Sequence, residues 1–354
     1  MYTEQLKELV LISRSAGSRS DYVQGGGGNT SVKLDDNLMA VKASGFMLKD
    51  ISQNEGFVVV NYKNIKEHNE QINITKSCDF EKESSEYMQA SVVPMKDLKP
   101  LRPSVEAGFH SILRKYVIHT HPVYANIICC SEEGRDLVDK IFNKRNYGTV
   151  WIPYVNPGFS LMLLMQKEVS RHVEEHGHSP SVIFMENHGL VVTADTASDC
   201  IELHEEVNAH IRSFFNITER YPFSGIEAAC DGSYISKSEY LKEYFKGREI
   251  THAFFDDNIL YPDQLVYMNG NVSVNGTESK LNINTETGKI HYKTNEKEAL
   301  TIEEILTSFV YVLENIQRNG LKLKAINNKG ADFVRNWESE KYRKSLLYGK
   351  KECL

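Results

Sequence analysis

No stretch of this chain offers the roughly 18 consecutive apolar residues that a membrane-spanning helix needs. Positive charge is not in excess either. Across 354 residues, 41 Lys and Arg stand against 48 Asp and Glu, a formal net charge of −7. Such a balance gives no broad attraction to nucleic acid or anionic lipid, so an anionic ligand must be held by a local site. Cysteine is sparse: Cys78, Cys129, Cys130, Cys200, Cys230 and Cys353 form no CxxC pair. They read as reduced thiols of a cytoplasmic protein, not as a disulfide framework. The opening MYTEQLKELVLISRSAG has an early acidic residue and only a short apolar stretch. It reads as an amphipathic helix and not as a signal peptide. Sequons at Asn73 and Asn271 carry no meaning without secretion. There is no internal repeat and no long low-complexity linker.

What is present is ordinary globular composition, 41% hydrophobic and 25% charged, enough for a sizeable core. Leu6, Leu9, Val10 and Ile12 have helical spacing within residues 3–16. SVKL and LMAVKAS read as strands around the turn Asp35-Asp36-Asn37, and GFVVVNY as a third. Residues 63–82 are polar and read as a solvated loop. SSEYMQASVVPM and SVEAGFHSILRKY look helical. VIHTHPVYANIICC reads as a strand running into a helix, with the break at Pro122. TVWIPYV reads as a strand, LMLLMQKEVSRHVEEHG as a helix ending at Gly177, and SVIFMENHGLVVTA as two buried strands around a polar turn. A further helix follows, with Asp195 as its candidate N-cap.

This alternation predicts a three-layer α/β domain over about the first 220 residues. After Tyr221-Pro222 the texture changes to short strand and turn signals with Asn-Gly pairs, then a helix from about Thr301 to Gln317. The expected domains are 1–220 and a smaller α+β extension, 221–354.

His119 and His121 lie two apart at the end of an apolar strand, so their side chains share a face and can chelate one ion. Catalytic zinc usually takes three protein ligands and keeps one position open. His188, in Glu186-Asn187-His188-Gly189, interrupts an apolar run where a polar residue is otherwise costly, and is the candidate third ligand. The alternative is three buried histidines with ordinary hydrogen bonds. His172, His176 and His178 read as a solvated helix face.

Gly25-Gly26-Gly27-Gly28-Asn29-Thr30-Ser31 can bring backbone N–H groups close to an anion. It is neither GxGxxG nor a P-loop. A second small-residue turn, Lys42-Ala43-Ser44-Gly45, falls one hairpin later and could complete an anion pocket, with Lys42 either its charge partner or turned to solvent. In Pro103-Ser104-Val105-Glu106, Ser104 can cap a helix whose first turn carries Glu106. The functional alternative for Glu106 is an acid/base carboxylate beside the metal.

GGGNTS (26–31), KASG (42–45), PSVE (103–106), HTHP (119–122), IPYVNPG (152–158) and ENHG (186–189), in this order, resemble the class II aldolase and adducin head family of the fuculose- and rhamnulose-phosphate aldolase type. The resemblance covers roughly residues 5–215. It implies a three-layer αβα domain with a central mixed sheet. It also implies one Zn²⁺ per subunit on His119, His121 and His188, with Glu106 as catalytic acid/base. Asn29, Ser44, Gly45 and Ser104 are the implied phosphate positions and Gly28 the implied loop glycine, with Lys42 beside them as the candidate charge partner in the substrate site. A homotetramer with sites between subunits is implied, with Tyr124 or Tyr154 as candidates to complete a pocket.

The implied reaction is retro-aldol cleavage of a ketose phosphate to dihydroxyacetone phosphate and an aldehyde. A pentulose-phosphate 4-epimerase or a phosphosugar dehydratase would use the same scaffold, and a non-catalytic adducin-like module is a further alternative. Val105 stands where many relatives have a second serine, which removes one phosphate-binding hydroxyl. The motif forms resemble the aldolase half of fused rhamnulose-phosphate aldolase–dehydrogenases, with no GxGxxG following.

Overall fold

The computed structural model describes residues 2–72, 79–96 and 98–337. Cys78, Cys353 and the sequon at Asn73 lie outside the described residues. Seven strands form the first sheet: β1 (Asn29–Lys33), β2 (Leu38–Lys42), β3 (Phe57–Asn61), β4 (Tyr116–Thr120), β5 (Thr149–Ile152), β6 (Val182–Met185) and β7 (Gly189–Ala194). Their order is β3-β2-β1-β4-β7-β6-β5, and only β5 and β6 are parallel.

The helices are α1 (Thr3–Gly17), α2 (Tyr62–Gln71), α3 (Phe80–Ala90), α4 (Ala107–Ile112), α5 (Val123–Cys129), α6 (Gly134–Phe142), α7 (Phe159–His176) and α8 (Ala197–Phe214). The C-terminal third adds α9 (Glu239–Phe245), α10 (Ala253–Asp257), α11 (Pro262–Tyr267), α12 (Glu296–Arg318) and α13 (Asn328–Asn336). Its own sheet has the order β10-β11-β12-β9-β8. The strands are β8 (Ile226–Ala228), β9 (Tyr234–Ser236), β10 (Val272–Val274), β11 (Leu281–Ile283) and β12 (Ile290–Tyr292).

Both faces of the seven-stranded sheet are covered, which makes the domain three-layered. Strand residues alternate between faces. Ile118, Val192 and Phe184 pack with Leu9 of α1 and Val207 of α8. Val117, Val191 and Ile183 face Phe109 of α4 and Met165 of α7. Burial of each such side chain is worth roughly 2 kcal/mol. His119 shares the face of Val117, and its ring meets Phe109 edge-on.

The local readings differ from the structure in a few places. Residues 62–71 form α2 and are not a loop, because Asn61 caps the helix from its side chain and Ile65 is buried. The helix after β7 is capped by Thr196, whose hydroxyl accepts from Asp199 N, while Asp195 pairs with Arg114. Ser104 is not the cap of α4. That position falls to Glu106, which makes no side-chain capping bond. The helix expected from Thr301 starts earlier, at Glu296, because Asn295 caps it.

The C-terminal third packs onto the first sheet's core. Ile302, Phe309 and Ile316 of α12 belong to the same buried cluster as Tyr124 and Ile128 of α5. No helix among the described residues is long and apolar enough to cross a membrane.

Candidate metal centre

β4 and β7 pair antiparallel with His119 opposite Val191, and β1 pairs with β4 so that Asn29 lies opposite His119. Gly28 immediately precedes this pairing at φ +66°, and a Cβ there would stand 2.6 Å from the His119 carbonyl oxygen. Only glycine lets the loop come that close to β4. His188 ends the three-residue turn between β6 and β7. The turn's centre, Asn187, adopts a left-handed φ of 51°.

The three rings meet at similar separations, with centroids 5.0, 5.1 and 5.2 Å apart and planes 62–72° from one another. His119 is fully buried, while His121 and His188 are nearly so and reach the cleft. His119 Nδ1 donates to the Leu190 carbonyl at 3.0 Å, and His121 Nδ1 donates to Asp263 Oδ2 at 2.5 Å. The Nε2 atoms of the two rings are turned toward each other, 3.2 Å apart. Two imidazole nitrogens at that distance suit a shared cation. Tetrahedral zinc with bonds of about 2.05 Å would separate its nitrogen ligands by about 3.4 Å. The described residues contain one cluster of this kind, His119, His121 and His188.

Glu106 closes the other side. Its Oε2 lies 3.3 Å from His119 Nε2 and its Oε1 3.1 Å from His188 Nε2. Asn29 Nδ2 donates to Glu106 Oε2 at 2.6 Å and to Ser104 Oγ at 3.2 Å. Burial pushes the Glu106 carboxyl up, but His119 and His188 outweigh it and hold the group well below the usual carboxylate range. His121 is lowered by burial, against the opposing pull of Asp263. Behind Asn29, His110 Nε2 donates to Asn29 Oδ1 while Nδ1 accepts from Ser31 Oγ at 2.7 Å. Burial drives His110 down to about 3, so it stays neutral. The amide of Asn29 is thereby turned with its NH₂ toward Glu106.

A cleft of about 490 Å³ opens onto this cluster. Gly28, Asn29, Lys42, Ser44, Gly45, Ser104, Glu106, His121 and His188 all line it. The glycine turn and the Pro103 turn meet because Ser104 N donates to Lys42 O and Ser44 N to Arg102 O. Lys42 is buried, not turned to solvent, and its Nζ lies 3.4 Å from Gly26 O. Val105 lines the cleft where a hydroxyl was expected to be lost. Tyr124 and Tyr154 are not among its lining residues. The Tyr124 hydroxyl donates to Asp21, and that of Tyr154 lies beside Gly330.

Sequence reasoning missed Asp263, Pro262 and Trp337, which also line the cleft, and the His110 contact behind Asn29. Asp263 is separated from His121 by 142 positions and belongs to no motif, so no local signal marked it. His110 could have been noticed as a polar residue on the apolar face of a predicted helix.

The sequence model of the family described as "Class II Aldolase and Adducin N-terminal domain" matches residues 7–213, more than half of the chain. A Bacillus subtilis protein named "Uncharacterized oxidoreductase YuxG" is 30% identical over 224 residues; the match covers 60% of this chain but 30% of that protein. The 3-oxo-tetronate 4-phosphate decarboxylase of Haemophilus influenzae is 23% identical over 60% of this chain and 88% of its own length. Among solved structures, the N-terminal class II aldolase domain of a conserved Thermoplasma acidophilum protein has 27% identity and a TM-score of 0.48. It covers 59% of this chain and 92% of its own. An L-fuculose 1-phosphate aldolase has 19% identity over 61% of this chain and 89% of its own, with a TM-score of 0.40.

Proposed function

Since the chain belongs to the Class II Aldolase and Adducin N-terminal domain family, we propose that it is a zinc-dependent aldolase cleaving a ketose phosphate to dihydroxyacetone phosphate and an aldehyde. The observation that carries this reading is the buried Glu106 carboxylate, 3.3 and 3.1 Å from two of three convergent imidazoles, at the floor of a cleft. Residues 1–220 act as the catalytic domain in this reading, and 221–354 as an extension laid against it.

Zinc on His119, His121 and His188 would supply Lewis-acid stabilisation of the negative charge that develops on the substrate's oxygens. Cleavage breaks the C3–C4 bond, and the electron pair left on C3 delocalises into the C2 carbonyl. The C4 hydroxyl passes its proton to the ionised Glu106 carboxylate as it becomes the aldehyde, and the Glu106 carboxyl returns a proton to C3. Asn29 keeps the carboxylate aimed, and is itself held by His110. Lys42, with Ser44, Gly45 and Ser104, forms the end of the cleft suited to the phosphate, which fixes the reacting carbons. Val105 takes one hydroxyl away from that end, so the grip on phosphate rests more heavily on Lys42.

A panel of ketose phosphates assayed for dihydroxyacetone phosphate release, with zinc measured by elemental analysis, tests the proposal. We expect one zinc per chain and release from at least one sugar phosphate. Protein that carries one zinc per chain yet is inert toward the whole panel, or that cleaves a sugar phosphate equally well without zinc, would overturn it. A second reading is decarboxylation of a 3-oxo acid phosphate, favoured by the named activity of the Haemophilus influenzae relative. Release of CO₂ without an aldehyde separates the two, and a rejoined epimer or a dehydrated product in the same assay would mark the epimerase or dehydratase chemistry.

A further inference from the structure

The family match ends at residue 213, yet a carboxylate from residue 263 touches the proposed centre. Asp263 is 2% exposed, and its Oδ2 accepts from His121 Nδ1 at 2.5 Å. A buried carboxylate on one nitrogen of an imidazole fixes the tautomer, orients the ring and makes the other nitrogen a better donor toward a metal. His119 meets the same need differently, from the backbone carbonyl of Leu190.

The surroundings are shaped around this contact. A Cβ at Gly27 would stand 2.7 Å from Asp263 Oδ2 and 3.0 Å from His121 Nδ1. Gly27 is not among the positive-φ glycines, unlike Gly25 and Gly28. Its lack of a side chain therefore serves space and not backbone conformation. The stretch that carries Asp263 is pinned at several points. Leu260 N donates to Gln264 Oε1, and Ile326 N to Ile259 O. Leu260 O also accepts from Asn187 Nδ2 at 2.8 Å, beside His188. One segment, residues 259–264, thus reaches the turns of two of the three imidazoles.

We propose that Asp263 is a positioning residue of the metal centre, and that the C-terminal third completes a site the family domain carries only in part. Gly27 leaves the room in which Asp263 and His121 meet. The proposal rests on His119, His121 and His188 being metal ligands.

The test uses the full chain, stripped of metal and reloaded with zinc or cobalt. Affinity is read by chelator competition, the cobalt d–d spectrum by absorption, and the Tm of the metal-free protein serves as a control for folding. Asp263→Asn keeps the shape of the side chain, and Gly27→Ala keeps the carboxylate but wedges it from the ring. We expect each to weaken zinc binding roughly 10- to 100-fold and to shift the cobalt spectrum, with the metal-free Tm close to that of the parent. His121→Ala separates the two levels of the argument. If it binds zinc as tightly as the parent, the ligand assignment fails and this proposal with it. If it loses zinc while Asp263→Asn and Gly27→Ala keep parental affinity and spectrum, the proposal alone is overturned.

Discussion

Two buried glutamates, one in each part of the chain, are driven in opposite directions. Glu106, at the floor of the cleft, is surrounded by His119, His188 and the Asn29 amide, and its carboxyl is held far below the ordinary range despite its burial. Glu303, on α12, is equally out of water. It accepts hydrogen bonds from the Tyr292 hydroxyl, from Ser236 Oγ at 2.8 Å and from Gly225 N at 3.4 Å, all neutral donors, and burial lifts it to about 7. Burial sets the cost of a charge, and the neighbours decide whether the charge is kept. In the seven-stranded part a carboxylate is kept ionised beside the imidazoles. In the C-terminal part a carboxyl is kept close to neutrality within a packed structural layer.

The largest effect expected from breaking this contrast is at Glu106. Glu106→Gln keeps the shape and the contact with Asn29 but removes the proton carrier. We expect turnover to fall about 10³-fold while zinc content stays that of the parent. Parental turnover would remove Glu106 from the chemistry.

Asn187→Ala probes the seam between the two parts. It strips the bonds to the Leu260 and Lys324 carbonyls, both 2.8 Å, and places alanine at a left-handed φ. A loss of about 3 to 4 kcal/mol in denaturant unfolding is expected, with weaker zinc retention because His188 adjoins the turn. An unchanged midpoint would show that the seam contributes nothing.

The smallest effect concerns Glu303 and pH. Its folded pKa lies above its unfolded value, so between pH 4.5 and 7 the folded state binds more protons than the unfolded chain. Its contribution is fully favourable below about 4.5 and is lost as pH rises through 7, a swing of roughly 3 kcal/mol. The parent should therefore lose more stability from pH 5 to pH 8 than Glu303→Gln does, as read by denaturant midpoints. Parallel pH profiles would assign the swing to other groups.

Much of the site was legible because it is written in short-range patterns. Strand alternation places His119 and His121 on one face, and the apolar runs around His188 mark it as a costly, purposeful interruption. The small-residue turns at Gly28 and Ser44 flank strands that any hairpin reading would pair. Less legible were features decided by competition between neighbours. Thr196 wins the cap from Asp195 because Asp195 pairs with Arg114, and Asn61 rather than a loop begins the segment after β3 because its side chain meets Asn64 N.

By itself the sequence determined the layered α/β order, the pair of histidines on one strand face and the family to which residues 7–213 belong. Those follow from periodicities of two and 3.6 and from motifs a few residues long. Only the tertiary structure decided that Asp263 backs His121, that Asn187 is tied to residues 260 and 324, and that His110 turns Asn29 toward Glu106. The long contacts join positions separated by tens to more than a hundred residues, and His110 looks locally like one more residue of a buried helix. No local pattern encodes such meetings; they arise when burial of the apolar faces brings distant segments together and each buried polar group must find a partner.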